Sequence, residues 1–250
     1  MLLHVRTRLT VLALLGCVPL AIATEPMRTP AKPVWSNDYT TRLEALALLQ
    51  SLNAELLSND SATLTLDRWC ATHALASPAR IIAERVTSAD EPPTPEQRQL
   101  LGVSATEPVR FRRVRLKCGD HVLSEAQNWY VPSRLTPEMN ATLDTTDTAF
   151  GRVVKPLDFR RRTLSAKLLW SPLPDGWEMR AANDNTPLPA APANGTLQIP
   201  HEVLQHRAIL TLPDGTPISQ VTETYTSDTL AFPDPQPPPP ATTPPRTEHR

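Results

Sequence analysis

The sequence predicts an α+β fold, an antiparallel sheet with helices packed on one side. Three observations predict it. An early segment carries leucines at helical spacing, two later segments read as strand–turn–strand hairpins, and no strand–helix–strand alternation of the kind that builds a parallel sheet is found.

The first helix follows Ser36, Asn37 or Asp38, each able to cap it. Leu43, Leu46, Leu49, Leu52 and Leu56 recur at spacings of three and four and are expected in the core. Ser61 starts a second, shorter helix that runs through Cys70. Ala79 to Val86, centred on Ile81 and Ile82, reads as a strand. Asp90 to Glu107 reads as a loop, with Pro92, Pro93 and Pro95 and room for one helical turn. Val109–Lys117 and Val122–Val131 are strand-like runs joined by Cys118-Gly119-Asp120-His121, a hairpin signal. Pro132 stops the second run. Thr136 and Pro137 then open a short helix as cap and first residue. Phe150-Gly151 marks a turn and Leu157–Trp170 a further strand. Ser171–Pro200, rich in Pro, Asn, Asp and Ala, reads as a surface excursion. Arg207–Leu212 and Ile218–Tyr225 flank Pro213-Asp214-Gly215-Thr216, the second hairpin.

The ends differ in kind from the middle. His4, Arg6 and Arg8 precede an apolar run from Leu9 to Ala23 that closes in Ala21-Ile22-Ala23, the small-x-small pattern of a secretory signal. The run is shorter than the roughly 20 residues of a membrane-spanning helix. Leu14-Leu15-Gly16-Cys17 offers a second route, lipidation at Cys17 and anchoring there. Either route places the chain outside the cytoplasm, periplasmic, secreted or lipid-anchored, with no stable membrane span after processing. Residues 24–36 form an irregular leader and residues 37–232 one domain. Residues 233–250, dominated by proline, form a tail with nothing apolar to bury and are expected to be disordered.

Composition narrows the function. A net charge of −1 argues against nucleic acid as a partner. Only seven glycines, with no phosphate-cradling loop among them, argue against a nucleotide. No Cys/His cluster has zinc spacing, so a metal site is not expected. His73, His121, His201 and His206 read as surface or partly buried residues. Cys70 and Cys118 either pair in an oxidising compartment or stand as two separate buried thiols.

The first hairpin resembles chorismate lyase. The residues that carry this are Arg113-Val114-Arg115-Leu116-Lys117-Cys118-Gly119-Asp120, Ser124-Glu125-Ala126, Val131-Pro132, Leu135-Thr136-Pro137 and Thr148-Ala149-Phe150-Gly151-Arg152. His206-Arg207, Leu210-Thr211-Leu212, Gly215-Thr216-Pro217 and Thr222-Glu223-Thr224-Tyr225 continue it in the second hairpin. Their order and spacing carry the resemblance. Ligand-sensing domains of some transcriptional regulators share that fold.

The resemblance implies a six-stranded antiparallel sheet with helices against it and a buried site under flaps. It implies Arg113 as the anchor of a ring carboxylate, Glu223 at the other end of the ring as proton donor or hydrogen-bond partner, and Phe150 beside the site. The last strand fits with one extra residue between Pro217 and Glu223, which a β-bulge absorbs. Ala62 stands where the family carries a bulkier side chain.

The residues allow this reading. Glu223 alternates with the apolar Val221 and Tyr225, and Arg113 with Val109 and Phe111. Arg113 and Glu223 paired with each other, or with other side chains, is the alternative. Arg152, Lys155 and Arg160-Arg161-Arg162 read as a solvated face or as charge that steers an anion. The expected activity is cofactor-free conversion of chorismate to 4-hydroxybenzoate and pyruvate by a monomer. The other reading is a domain on the same fold that binds a small aromatic or cyclohexadiene carboxylate, or a protein, without turnover.

Overall fold

The computed structural model describes residues 35–86, 90–179 and 195–232. The expected signal and leader before Trp35, the middle of the Ser171–Pro200 excursion and the proline-rich tail lie outside the described residues. No helix among the described residues is long and apolar enough to cross a membrane.

Six strands form one antiparallel sheet: β1 (Ile81–Arg85), β2 (Arg110–Cys118), β3 (His121–Tyr130), β4 (Arg160–Leu168), β5 (Glu202–Thr211) and β6 (Pro217–Thr226). Their spatial order is β1-β2-β3-β6-β5-β4. Both expected hairpins, β2–β3 and β5–β6, are present and β6 pairs with β3 at the centre. The extra residue before Glu223 is absorbed at Ile218, where the register steps from Leu210–Ser219 to Thr211–Pro217.

The helices are α1 (Tyr39–Leu57), α2 (Ala62–Thr72), α3 (Pro95–Leu101), α4 (Pro137–Thr145) and α5 (Phe150–Val153). Asp38, Ser61, Thr94 and Thr136 cap the first four through side-chain oxygens that accept backbone N–H groups. Thr94 and Gln97 form a reciprocal capping box, which stabilises a helix where the prolines read as loop. Phe150-Gly151 is the start of the short α5 and not a plain turn.

The main core lies between α1, α2 and one face of the sheet. Leu49, Leu52 and Leu56 of α1 and Leu66 and Trp69 of α2 pack with Val114, Leu116, Leu204 and Tyr225. Leu43 and Leu46 depart from the expected leucine face. Leu43 is exposed and Leu46 half-buried, because α1 is turned so that Thr41, Arg42 and Ala45 face inward. Tyr130, Leu143, Val154 and Leu210 extend the packing beneath α4 and α5. A small cluster of Leu101, Trp129 and Val131, with Phe111 against it, seats α3. The ends of the Ser171–Pro200 excursion also pack: Pro172, Leu173 and Leu197 are buried. A disulfide joins Cys70 of α2 to Cys118 at the end of β2, with 6.4 Å between the Cα atoms.

Candidate functional site

Side chains alternate between the two faces of each strand. The cross-strand row Val114, Ala126, Glu223 and His206 therefore lies on the face that packs under α1 and α2. Over this row a cavity of about 40 Å³ remains, closed above by the start of α2 and by α5. Its polar lining is Asp60, Ser61, Thr63, Arg112, Asn128, Arg161 and Glu223, and its apolar lining includes Val114, Leu210, Val221 and Phe150. Gly151 allows this roof to close: a Cβ there would sit 2.9 Å from Ser61 Oγ and 3.2 Å from Thr63 Oγ1. Arg152 fastens α5 by donating to both carboxylate oxygens of Asp67 on α2, at 2.8 and 3.1 Å.

Glu223 lines this cavity, and its carboxylate is engaged. Arg161 Nη2 donates to Glu223 Oε2 at 2.6 Å, and Tyr225 OH donates to the same oxygen at 3.2 Å. The side chains of Arg161 and Glu223 are 4% and 7% exposed. Burial works against the Arg161 charge, but Glu223 and Tyr225 outweigh it and its pKa stands above the ordinary arginine value. Burial, with Glu223 beside it, pushes the Tyr225 phenol well up. His206, opposite Glu223, is fully buried and not a surface residue. Burial first, and then Arg161, bring its pKa down to about 4. Its Nε2 lies 2.8 Å from Asn53 Oδ1, which makes Nε2 the protonated nitrogen of the neutral ring.

Arg113 does not reach the cavity. Its side chain is 42% exposed and lies 3.9 Å from Glu125 on the opposite face. Arg112 faces the cavity instead, because it shares parity with the core residues Val114 and Leu116. Val109 and Phe111 supplied a misleading apolar signal: they belong to the separate cluster around Trp129. Arg112 is 7% exposed and donates through Nη2 to the carbonyls of Thr146 and Thr148. Its Nε is buried without a hydrogen-bond partner, and so is that of Arg161. Among the described residues no carboxylate pairs with Arg112, and burial lowers its pKa.

Phe150 stands at the cavity wall with its ring 5.6 Å from that of Tyr130. Sequence reasoning missed Arg112 and Arg161 as site residues. Arg161 was legible in part, since it shares parity with the apolar Phe159, while Arg160 and Arg162 are exposed as a solvated run would be. A wider groove of about 990 Å³ opens beside β2 and shares Arg112 with the cavity. The ion pair within it, Arg110 with Asp144 at 2.6 Å, is about half exposed, so the groove reads as solvated surface.

No family model matches the sequence. The chain is similar to the effector domain of PhnF from Mycobacterium smegmatis (16% identity, 68% of this chain and 90% of that one, TM-score 0.43). It is also similar to a GntR-family transcriptional regulator from Enterococcus faecalis V583 (11% identity, 60% and 96%, TM-score 0.37). A further match is YydK from Bacillus subtilis, described as a possible transcriptional regulator (12% identity, TM-score 0.36). There the match covers 61% of this chain and spans 60% of that one. Among sequences, the "Uncharacterized protein y4mC" of Sinorhizobium fredii is 54% identical over 202 residues, 80% of this chain and 83% of that protein. At that identity and coverage, the chain belongs to the same family as y4mC.

Proposed function

We propose that the domain binds a small organic acid in the cavity beneath α2 and α5, with Arg112 as the carboxylate anchor. One observation carries this reading: a buried guanidinium that lines the cavity, with no carboxylate partner among the described residues and with its Nε left without a hydrogen-bond partner. A buried charge is costly unless paired, and a ligand carboxylate would pair it through two parallel hydrogen bonds. The apolar lining suits a ring or short hydrocarbon body, so the ligand class is a small aromatic or cyclohexadiene carboxylate. A space of about 40 Å³ holds a few waters and not such a ligand, so binding requires the short α5 to lift from α2.

The finer reading is an exported chorismate pyruvate-lyase. It is supported by the resemblance in the two hairpins and by the common cavity that Arg112 and Glu223 line. There Arg112, in place of Arg113, would hold the ring carboxylate. Glu223 would serve the departing oxygen only after release from Arg161. That engagement makes binding without turnover the better-supported function. Export rests on the signal-like residues 1–23, and the Cys70–Cys118 bridge accords with it.

The test is calorimetric titration with 4-hydroxybenzoate, alongside incubation with chorismate in which 4-hydroxybenzoate and pyruvate are followed together. Binding that disappears in Arg112→Ala and survives in Arg113→Ala supports the anchor. Equimolar release of both products from chorismate, lost in a Glu223→Gln chain that circular dichroism shows to be folded, supports the lyase. If neither benzoates nor chorismate bind to the folded chain, the proposal fails.

A further inference from the structure

We propose that α1 is a contact surface between two copies of this chain, paired antiparallel about a two-fold axis near Gln50. This departs from the monomer expected from the sequence and is independent of the ligand reading.

The observation is the outward row of α1. Tyr39, Leu43, Ala47, Gln50, Ala54 and Leu57 follow one another at spacings of four and three, and all are exposed. Tyr39 is 49%, Leu43 36% and Leu57 48% exposed. The charged residues of the helix, Arg42, Glu44 and Glu55, all fall off this row. Helices at a protein surface carry polar and charged residues on the side facing water. In a chain that is 20% charged, a 19-residue helix with an uncharged row outward and a leucine row inward lacks that asymmetry.

The spacing and the order of residue types point to the occupant. From Leu43 to Leu57 the steps are four, three, four, three, the seam of a two-helix coil. The row also reads alike in both directions from Gln50, with an alanine and then a leucine on either side. A two-fold interface requires such self-complementarity, since each copy offers the same patch. Antiparallel pairing sets Leu43 against Leu57 of the second copy. The alanines let the helices approach, and the two Gln50 amides, each a donor and an acceptor, meet at the axis. No charge is desolvated in the seam.

Area sets the strength. One helix of about 28 Å per copy buries less than roughly 1,200 Å² in total, the class of weak, concentration-dependent association. The dimer therefore forms in the micromolar range and not as an obligate pair.

Sedimentation equilibrium of the full chain across that range tests this. Circular dichroism checks that each variant is folded, which exposed positions allow. The wild type is expected to self-associate and Leu43→Glu to weaken association at least tenfold. Leu43→Glu with Leu57→Lys is expected to recover it, because the new charges face each other only across an antiparallel seam. A wild type that stays monomeric at every concentration overturns the proposal, and so does a Leu43→Glu/Leu57→Glu chain that associates as the wild type does. Failure of the Glu/Lys variant to recover association overturns the antiparallel geometry. A monomer whose melting temperature falls when residues 1–34 are removed also overturns it, and assigns the row to the chain's own N-terminal segment.

Discussion

Arg161 on β4 reaches over β5 to Glu223 on β6, and the two buried side chains meet at 2.6 Å. The pair neutralises the carboxylate that the chorismate lyase resemblance assigned to the ring's far end. It leaves Arg112 as the cavity's charge without a carboxylate partner among the described residues.

Breaking this pair from one side should be costly. Glu223→Ala leaves the Arg161 charge buried, and about 3–5 kcal/mol of stability should be lost in urea unfolding. Removing both charges together, as in Arg161→Met/Glu223→Leu, should recover most of that loss. Single and double variants equally unstable would mean the pair's energy lies in packing and not in charge.

Stability should fall on mild acidification through His206. Its folded pKa of about 4 lies below the ordinary 6.5, so the unfolded chain takes up the proton more readily. Its contribution is complete above pH 6.5 and is lost as pH falls toward 4. Each tenfold difference in proton affinity between the folded and unfolded chain is worth about 1.4 kcal/mol, so the loss across that window approaches about 3 kcal/mol. Denaturation midpoints measured across it should slope downward in the wild type and flatten in His206→Gln.

Gly151→Ala should cost about 1–2 kcal/mol. The new methyl displaces Ser61 Oγ, which accepts from Leu64 N–H as the cap of α2, so a cap is lost as well as a contact. Thermal melts check the stability. Ligand titration of the same variant should show the roof loosened, with a faster off-rate.

Reduction of the Cys70–Cys118 bridge should remove about 2–4 kcal/mol, as expected for a cross-link over 48 residues. Guanidinium unfolding with and without a strong reductant reads this directly. An unchanged midpoint with both thiols titrating free would show that the bridge is not what ties α2 to β2.

The hairpins and the helix caps at Ser61 and Thr136 were legible because each rests on a local rule, turn chemistry or capping, whereas the bulge before Glu223 came from the resemblance alone. Glu223 was legible as a buried residue through strand period, in its alternation with Val221 and Tyr225. Arg113 shows where local rules stop. Parity tells which residues share a face, but both parities of β2 carry apolar residues. Only the packing of α2 on one face and α3 on the other shows that Arg112 faces the cavity.

By itself, then, the sequence determined the α+β class, the strand pairs within each hairpin and the residues able to carry chemistry. Tertiary structure alone decided that Arg161 pairs with Glu223, that His206 is buried and neutral, and that α1 turns Leu43 outward. These outcomes depend on contacts between elements far apart in the chain. Burial and pairing energies, which no local spacing records, select among several faces that the sequence leaves equivalent.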